Sequence, residues 1–187
     1  MRTAEAYAVV LAESGRISHT GPDGSDALTR YFRAGGTSAR LGEIIGAGPG
    51  LSDVQSAWLS SADHRASLMK KYWTHAGWGA ARSGKAVVWV MIFVQVRVAG
   101  LTVGEDAEGA LTVSGRFVPE DADAAALLCG TSQVDPESWD PLERRFFFRV
   151  KKSADLGYVR LGYFNAGGIM MITDVLTSPR GRVSPPG

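Results

Sequence analysis

The chain has 187 residues, 45% of them hydrophobic and 21% charged, which is the composition of a folded globular protein rather than of a disordered or fibrous one. Its net charge of +1 gives no electrostatic reason to expect nucleic acid or an anionic membrane as a partner. Cys129 is the single cysteine, which excludes an intramolecular disulfide, and we expect it to be a small buried residue. The longest apolar run, residues 86–96, is shorter than the roughly 20 residues of a membrane helix, so no transmembrane segment is predicted.

Two helices are predicted near the start of the chain. Tyr7, Val10 and Leu11 share one helical face, and Gly15 follows where a helix is expected to stop. After a run of turn formers, "DALTRYFRAGG" predicts a second short helix that ends at Gly35 and Gly36. Its predicted buried residues are Leu28, Tyr31 and Phe32.

The next segment, "GEIIGAGPG", is interpreted as a glycine-rich connection that leads to two more helices. It is not a phosphate-binding loop, because no Gly-Lys-Ser/Thr follows it. Ser52 is predicted to cap a third helix, with Gln55 completing a capping box. Asp63 is predicted to cap a further short turn that carries His64.

Strands dominate the remainder of the predicted structure. Two of them are expected around a turn at Ser83-Gly84, within "YWTHAGWGAARSGKAVVWVMIFVQVRV". After Gly100, "ALTVSGRFV" alternates apolar and polar residues, and "RRFFFRVKK", "GYVRLGYF" and "GIMMITDVL" are further strand candidates. We therefore predict a first domain over residues 1–99 and an all-β domain or extension over residues 100–187, a small β-sandwich with a mobile "SPRGRVSPPG" end.

Three polar residues stand in contexts where a plain apolar core would not need them: His19, Glu43 and His64. A carboxylate between "LG" and "II" is costly to bury without a partner, and a histidine would be such a partner. Two imidazoles and a carboxylate are also suitable ligands for a first-row metal ion. A second interpretation of Glu43 is an N-cap or an ion pair with Arg40. His75 is expected to be a hydrogen-bonded structural residue.

Four tryptophans are interpreted as core aromatics rather than as a sugar-stacking or base-stacking platform, because each lies within an apolar pattern. These residues are Trp58, Trp73, Trp78 and Trp89.

Four stretches of the chain, taken in order, resemble the CAP superfamily. They are "ISHTGPDGSDALTRYFRAGG", "LGEIIGAGPG", "VQSAWLSSADHRASLMKKYWTHAGWGAA" and "VVWVMIFVQ". This superfamily comprises the cysteine-rich secretory, antigen 5 and pathogenesis-related proteins, and the similarity is to its bacterial SCP-like branch over about residues 4–96. The resemblance implies an α+β fold, an α-β-α sandwich around an antiparallel sheet. It also implies secretion or a periplasmic location, although no signal peptide is visible in this chain.

The same resemblance implies a cleft that carries His19, Glu43 and His64, with the two histidines as ligands of zinc or another divalent cation. Members with the full set of cleft residues have a second glutamate three residues after the tryptophan, where this chain has Ser61. Ile44 likewise replaces an asparagine. The start of the chain is short for the family, which implies an N-terminally shortened domain.

Three functions remain open from the sequence. The first is a noncatalytic module whose His-Glu-His cleft binds a divalent metal, a small ligand or an extracellular protein partner. The second is a metal-dependent hydrolase or peptidase in which His19 and His64 hold zinc and Glu43 activates water. The third is a structural scaffold whose function resides in the β segment.

Overall fold

The computed structural model describes residues 2–151 and 157–177, and their contacts separate into two compact units. The first unit contains the residues up to Gly36 together with Arg40–Gln95. The second contains Thr37–Ala39 and the described residues from Val96 onward. The predicted mobile end, residues 178–187, lies outside the described residues. In the described part of the chain, no helix combines the length and apolar character needed to cross a membrane.

The first unit is a three-stranded antiparallel sheet, in the order β1-β3-β2, with helices on both faces. Alternation along β3 explains the three layers, because Val88, Val90 and Ile92 pack with α1 while Phe93 packs with α3 on the opposite face. This arrangement is the predicted α-β-α sandwich, and the α+β fold class is confirmed. Its elements in chain order are α1 (Arg2–Ser14), α2 (Ala27–Arg33), β1 (Leu41–Gly48), α3 (Leu51–Ser60), α4 (Ala62–Leu68), β2 (His75–Ser83) and β3 (Ala86–Val94).

The glycines of the first unit permit close packing between helices and sheet. A Cβ atom at Gly79 would lie 2.2 Å from the Cα of Glu5, so the backbone of α1 rests directly on β2. A Cβ atom at Gly46 would lie 2.5 Å from Val54 and 2.9 Å from the indole nitrogen of Trp58. The interpretation of "GEIIGAGPG" as a connection is therefore wrong: most of it is β1, whose glycines make room for α3.

The predicted helix boundaries agree with the structure better than the predicted helix caps do. Helix α1 ends before Gly15, whose φ of +64° is the left-handed conformation of a helix stop. Helix α3 begins at Leu51 with Gly50 as its N-cap, so the predicted Ser52 capping box is not formed. Ser61, not Asp63, is the N-cap of α4, and neither α3 nor α4 has a side-chain cap hydrogen bond. The predicted buried stripe of α2 is only partly buried.

The second unit is a β-sandwich of two four-stranded antiparallel sheets, in the orders β11-β10-β6-β7 and β4-β5-β9-β8. Both sheets contribute to one core, in which Phe117, Phe148 and Tyr163 are fully buried. Cys129 is half-buried, and its burial raises the thiol pKa. The strands are β4 (Val98–Glu105), β5 (Leu111–Phe117), β6 (Ala124–Cys129), β7 (Ser132–Val134), β8 (Ser138–Asp140), β9 (Arg145–Val150), β10 (Tyr158–Phe164) and β11 (Met170–Thr177).

Residues 37–39, between α2 and β1 in the sequence, run along β11 of the second unit. Backbone hydrogen bonds join Ala39 N to Thr173 O at 2.9 Å and Val175 N to Thr37 O at 2.8 Å. Ser38 and Asp174 form a β-bridge between them. This short segment therefore covers the outer edge of β11, which would otherwise present unpaired backbone groups.

Candidate functional site

Glu43 lies on β1 with its side chain only 3% exposed, and its carboxylate meets His19 from the loop between α1 and α2. Nδ1 of His19 lies 2.8 Å from Oε1 of Glu43, while the histidine side chain is 61% exposed. The prediction that Glu43 requires a partner, and that a histidine is such a partner, is confirmed.

Arg30 on α2 is the second partner of Glu43. Its Nη2 donates to Oε2 of the carboxylate at 2.8 Å, and its side chain is only 11% exposed. The same guanidinium donates to the carbonyl oxygens of Ser25 at 2.6 Å and of His19 at 3.2 Å. Arg30 therefore neutralises the buried carboxylate and fixes the loop that carries the histidine.

Tyr7 on α1 completes the packing beneath this group. The guanidinium carbon of Arg30 lies 3.4 Å from the centroid of the Tyr7 ring, a cation–π contact. The phenol donates to the carbonyl oxygen of Ser18 at 2.7 Å, and burial is the main reason that its pKa is raised. Tyr7 is therefore a protonated donor at neutral pH that anchors the residue preceding His19.

The contacts of Glu43 determine which nitrogen of His19 faces outward. An ionised carboxylate only accepts hydrogen bonds, so Nδ1 of His19 carries the proton that it donates to Oε1. In the neutral ring the other nitrogen, Nε2, then holds a free lone pair. Because the ring is largely exposed, that lone pair is available to a ligand from solvent.

Sequence reasoning did not identify Arg30 as part of the site and named Arg40 as the ion-pair alternative. A signal existed, because Arg30 follows the helix cap Asp26 by one turn. Side chains on a helix point back toward its N-terminus, so Arg30 is directed toward the loop that contains His19. The cap itself is well formed, with Thr29 N donating to Asp26 Oδ1 at 2.7 Å.

His64 is half-buried on α4, a helix that contacts β1. Among the residues that the structure describes, His, Cys, Asp and Glu side chains form no group of three or more that could hold a metal ion. The structure thus brings together His19 and Glu43, with Arg30 added, and places His64 on a neighbouring element.

The remaining histidine and tryptophans separate into packing and surface residues. His75 is exposed, with Nδ1 3.0 Å from Thr74 Oγ1. Trp58 is 4% exposed and donates from Nε1 to Ile45 O, as expected of a core aromatic. The core prediction is wrong for Trp78, which lies on edge strand β2 and is 56% exposed, although its ring centroid is 5.5 Å from that of Trp89.

A family model described as the cysteine-rich secretory protein family, CAP, matches residues 1–93. No curated protein matches the chain significantly.

Two solved structures are also similar, each over 50% of this chain. An outer surface protein from Borrelia burgdorferi is 25% identical with a TM-score of 0.47, and 71% of that chain is covered. An extracellular protein containing an SCP domain from Bacillus anthracis str. Ames is 21% identical with a TM-score of 0.45, and 30% of that chain is covered.

The family match covers the part of the chain that contains the α-β-α sandwich and the His19–Glu43 pair. Residues 1–93 of this chain therefore form a CAP-family domain.

Proposed function

We propose that the first unit is a noncatalytic binding module of an exported bacterial protein, in which His19 and His64 bind a divalent cation, with zinc as the best-matched ion. The observation that carries this proposal is the 2.8 Å contact between His19 Nδ1 and Glu43 Oε1. Histidines that bind metal ions almost always donate their other ring N–H to a carboxylate, a carbonyl or water. The family's description as secretory supports export.

The proposed ligands of the cation are the imidazole nitrogens of His19 and His64 rather than the carboxylate of Glu43. Both oxygens of Glu43 already accept hydrogen bonds, Oε1 from His19 and Oε2 from Arg30. The charge of Arg30 also opposes the approach of a cation to that carboxylate. Glu43 is therefore a positioning residue for His19, and His19 and His64 are the candidate ligands.

Two protein ligands leave the remaining coordination positions to water or to a bound molecule. A zinc ion in such a site supplies a Lewis-acidic centre to which a small anionic or carbonyl ligand can attach. We therefore expect exchangeable binding, and a ligand or an extracellular partner of the module would be recognised at the exposed side of His19.

The hydrolase alternative requires Glu43 to accept a proton from water. The two hydrogen bonds to its oxygens leave it poorly placed for that task. Family members with the full set of cleft residues have a second glutamate. In this chain Ser61, the N-cap of α4, stands at that position, so the second carboxylate is missing. Binding consequently agrees with the geometry better than catalysis does.

Zinc titration by calorimetry tests the proposal, with each of the three histidines replaced by alanine in turn. We expect the wild type to bind one zinc ion and both His19→Ala and His64→Ala to lose most of the affinity. Glu43→Gln should weaken binding by about tenfold, because it alters the hydrogen bond that orients His19. His75→Ala is the matched control, since that histidine is exposed and lies at the start of β2, outside the proposed site.

Zinc binding that is unchanged in both His19→Ala and His64→Ala would contradict the proposal. No binding by the wild type would favour the scaffold interpretation. Peptide hydrolysis that disappears in Glu43→Gln would favour the hydrolase.

A further inference from the structure

The sheet β4-β5-β9-β8 of the second unit has an outer face that carries arginines, hydroxyl groups and an aromatic ring. Alternate residues of its two central strands are buried in the core, Val113 and Phe117 on β5 and Phe146 and Phe148 on β9. The residues between them therefore lie on the solvent side of the sheet. These outward residues, all at least partly exposed, are Thr112, Ser114 and Arg116 on β5 and Arg145, Phe147 and Arg149 on β9.

The strand register places the aromatic ring of this face between hydroxyl groups. Phe147 pairs with Ser114 of β5 on one side and with Ser138 of β8 on the other, and Ser114 pairs with Thr102 of β4. Because paired residues lie on the same face and strands are about 4.8 Å apart, this row spans about 14 Å. Phe147 is partly exposed and lies outside the buried core, unlike the phenylalanines on either side of it. A ring flanked by hydroxyl groups can pack against a sugar ring and exchange hydrogen bonds with its hydroxyls.

The neighbouring row of the same face places two arginines side by side. Arg116 and Arg145 are directly paired across β5 and β9, and like charges in that position destabilise a sheet. Within the described part of the chain neither guanidinium forms an ion pair, whereas Arg149 on the same face pairs with two carboxylates. Asp140 is the register partner of Arg145 on β8, but its Oδ1 accepts two backbone N–H groups of the following turn. A carboxylate bound at the arginine pair would relieve the repulsion and accept charge-assisted hydrogen bonds.

The charge of the whole unit favours a small acidic ligand over a polyanion such as nucleic acid. Residues 37–39 and 96–187 contain ten Lys and Arg against twelve Asp and Glu, a net charge of −2. A unit of this charge exerts no general attraction on nucleic acid or on an anionic membrane. An anion is therefore recognised locally, at the arginine pair.

We propose that this sheet face binds an acidic sugar, a hexuronate, with its carboxylate at Arg116 and Arg145 and its ring against Phe147. Arg145 and Phe147 are two residues apart on β9, about 7 Å along the strand, so one sugar residue reaches both. The hydroxyl groups of Ser114 and Ser138 lie on either side of the ring position. This site belongs to the second unit, whereas the proposed cation site belongs to the first, so neither depends on the other.

Titration of the full chain with galacturonate, trigalacturonate and the methyl ester of trigalacturonate, followed by calorimetry, tests the ligand. We expect trigalacturonate to bind about tenfold more tightly than its uncharged ester, because the ester lacks the charge-assisted hydrogen bonds to arginine. Tighter binding of the trimer than of the monomer would identify a glycan as the ligand, and equal binding would identify a single sugar acid. Acetate or a short DNA duplex that binds as tightly as trigalacturonate would overturn the inference.

Arg116→Glu tests the location and separates lost binding from lost folding. It should abolish trigalacturonate binding, while its urea midpoint should be no lower than that of the wild type, because a glutamate opposite Arg145 replaces a repulsive pair by an attractive one. Arg82→Glu, at an exposed arginine on β2 of the first unit, is the matched control and should leave binding unchanged.

Phe147→Leu tests the contact with the sugar ring. It keeps an apolar side chain but removes the flat ring, and should weaken trigalacturonate binding by about tenfold. The inference is overturned if trigalacturonate does not bind, if its ester binds equally well, or if Arg116→Glu binds like the wild type. A lower urea midpoint for Arg116→Glu would contradict the repulsion between the two arginines on which the inference depends.

Discussion

The two units each bury a carboxylate, and they compensate for its charge differently. In the first unit, the side chain of Glu43 is 3% exposed and meets both a guanidinium and an imidazole. In the second, Asp174 is 6% exposed; its Oδ1 accepts from the Thr37 hydroxyl at 2.8 Å, and its buried Oδ2 has no partner among the described residues. Burial accordingly raises the pKa of Asp174.

This difference shows that the two carboxylates have different roles: Glu43 organises a site, whereas Asp174 holds a segment of chain in place. Glu43 is neutralised by a buried guanidinium and positions an imidazole that stays accessible to solvent. Asp174 instead contacts residues 37–39, and its charge is a cost to the folded state. Four substitutions sharpen or break this comparison.

Arg30→Met should have the largest effect on stability, because it leaves Glu43 buried without its cation. We expect the free energy of unfolding of the first unit to fall by about 3 kcal/mol. Urea denaturation followed by tryptophan fluorescence measures it, since four of the five tryptophans lie in this unit.

The control for this substitution is Arg33→Met, which removes an exposed pair with Asp23 and should change little. Adding Glu43→Leu to Arg30→Met should recover much of the loss, because it removes the uncompensated carboxylate. Equal stability of the two arginine variants would contradict the role assigned to Arg30.

Thr37→Val should destabilise the second unit by about 2 kcal/mol, because it removes the hydroxyl that donates to the buried carboxylate of Asp174. Urea denaturation followed by circular dichroism of the β-sheet measures the loss. Thr102→Val is the comparison variant, since that exposed hydroxyl has only a 3.4 Å contact with the Gly100 carbonyl. A loss no greater than in Thr102→Val would show that the hydroxyl does not support Asp174.

Asp174→Asn should have a smaller effect on the free energy of unfolding, and the size of that effect should depend on pH. Because the pKa of Asp174 is raised in the folded state, the wild type loses stability from this group as pH rises through that pKa. The asparagine variant lacks this loss. Its free energy of unfolding relative to the wild type should therefore increase as pH rises above about 4, the pKa of an unperturbed aspartate. A difference that is constant with pH would mean that the carboxyl is not affected by burial.

His19→Ala should have the smallest effect on folding, about 0.5 kcal/mol or less, because the imidazole is 61% exposed. Thermal unfolding without added metal measures it. A loss of stability as large as that of Arg30→Met would show that His19 is a structural residue. It would contradict the view that Arg30 and Glu43 support the fold while the imidazole of His19 remains free to bind a ligand.

Elements that depend on local chemistry were predictable from the sequence. Gly15 marks the end of α1, and Ser83-Gly84 marks the turn between β2 and β3, because glycine takes the left-handed conformation that each position adopts. The alternation of Leu111, Val113 and Phe117 predicted β5 and its buried face. In each case the signal lies within a few residues of the feature.

Features that depend on distant partners were not predictable in the same way. In the sequence, Gly42 and Gly46 suggest a loop. In the structure they lie in a strand, because tryptophan side chains occupy the space that a Cβ would fill, Trp73 at Gly42 and Trp58 at Gly46. The partner of Glu43 was expected to be a histidine, but the choice of Arg30 over Arg40 depends on where α2 packs. The exposure of Trp78 follows from its position on an edge strand, which its own apolar neighbours do not reveal.

The contact of residues 37–39 with β11 has a consequence for synthesis of the chain. Thr37 is translated 137 positions before Asp174, its hydrogen-bond partner. The segment is therefore already available when β11 leaves the ribosome, and it can cover the outer edge of that strand before another molecule pairs with it. Residues 37–39 thus protect the edge of β11 from pairing with another molecule, although they are synthesised long before the β-sandwich that they cover.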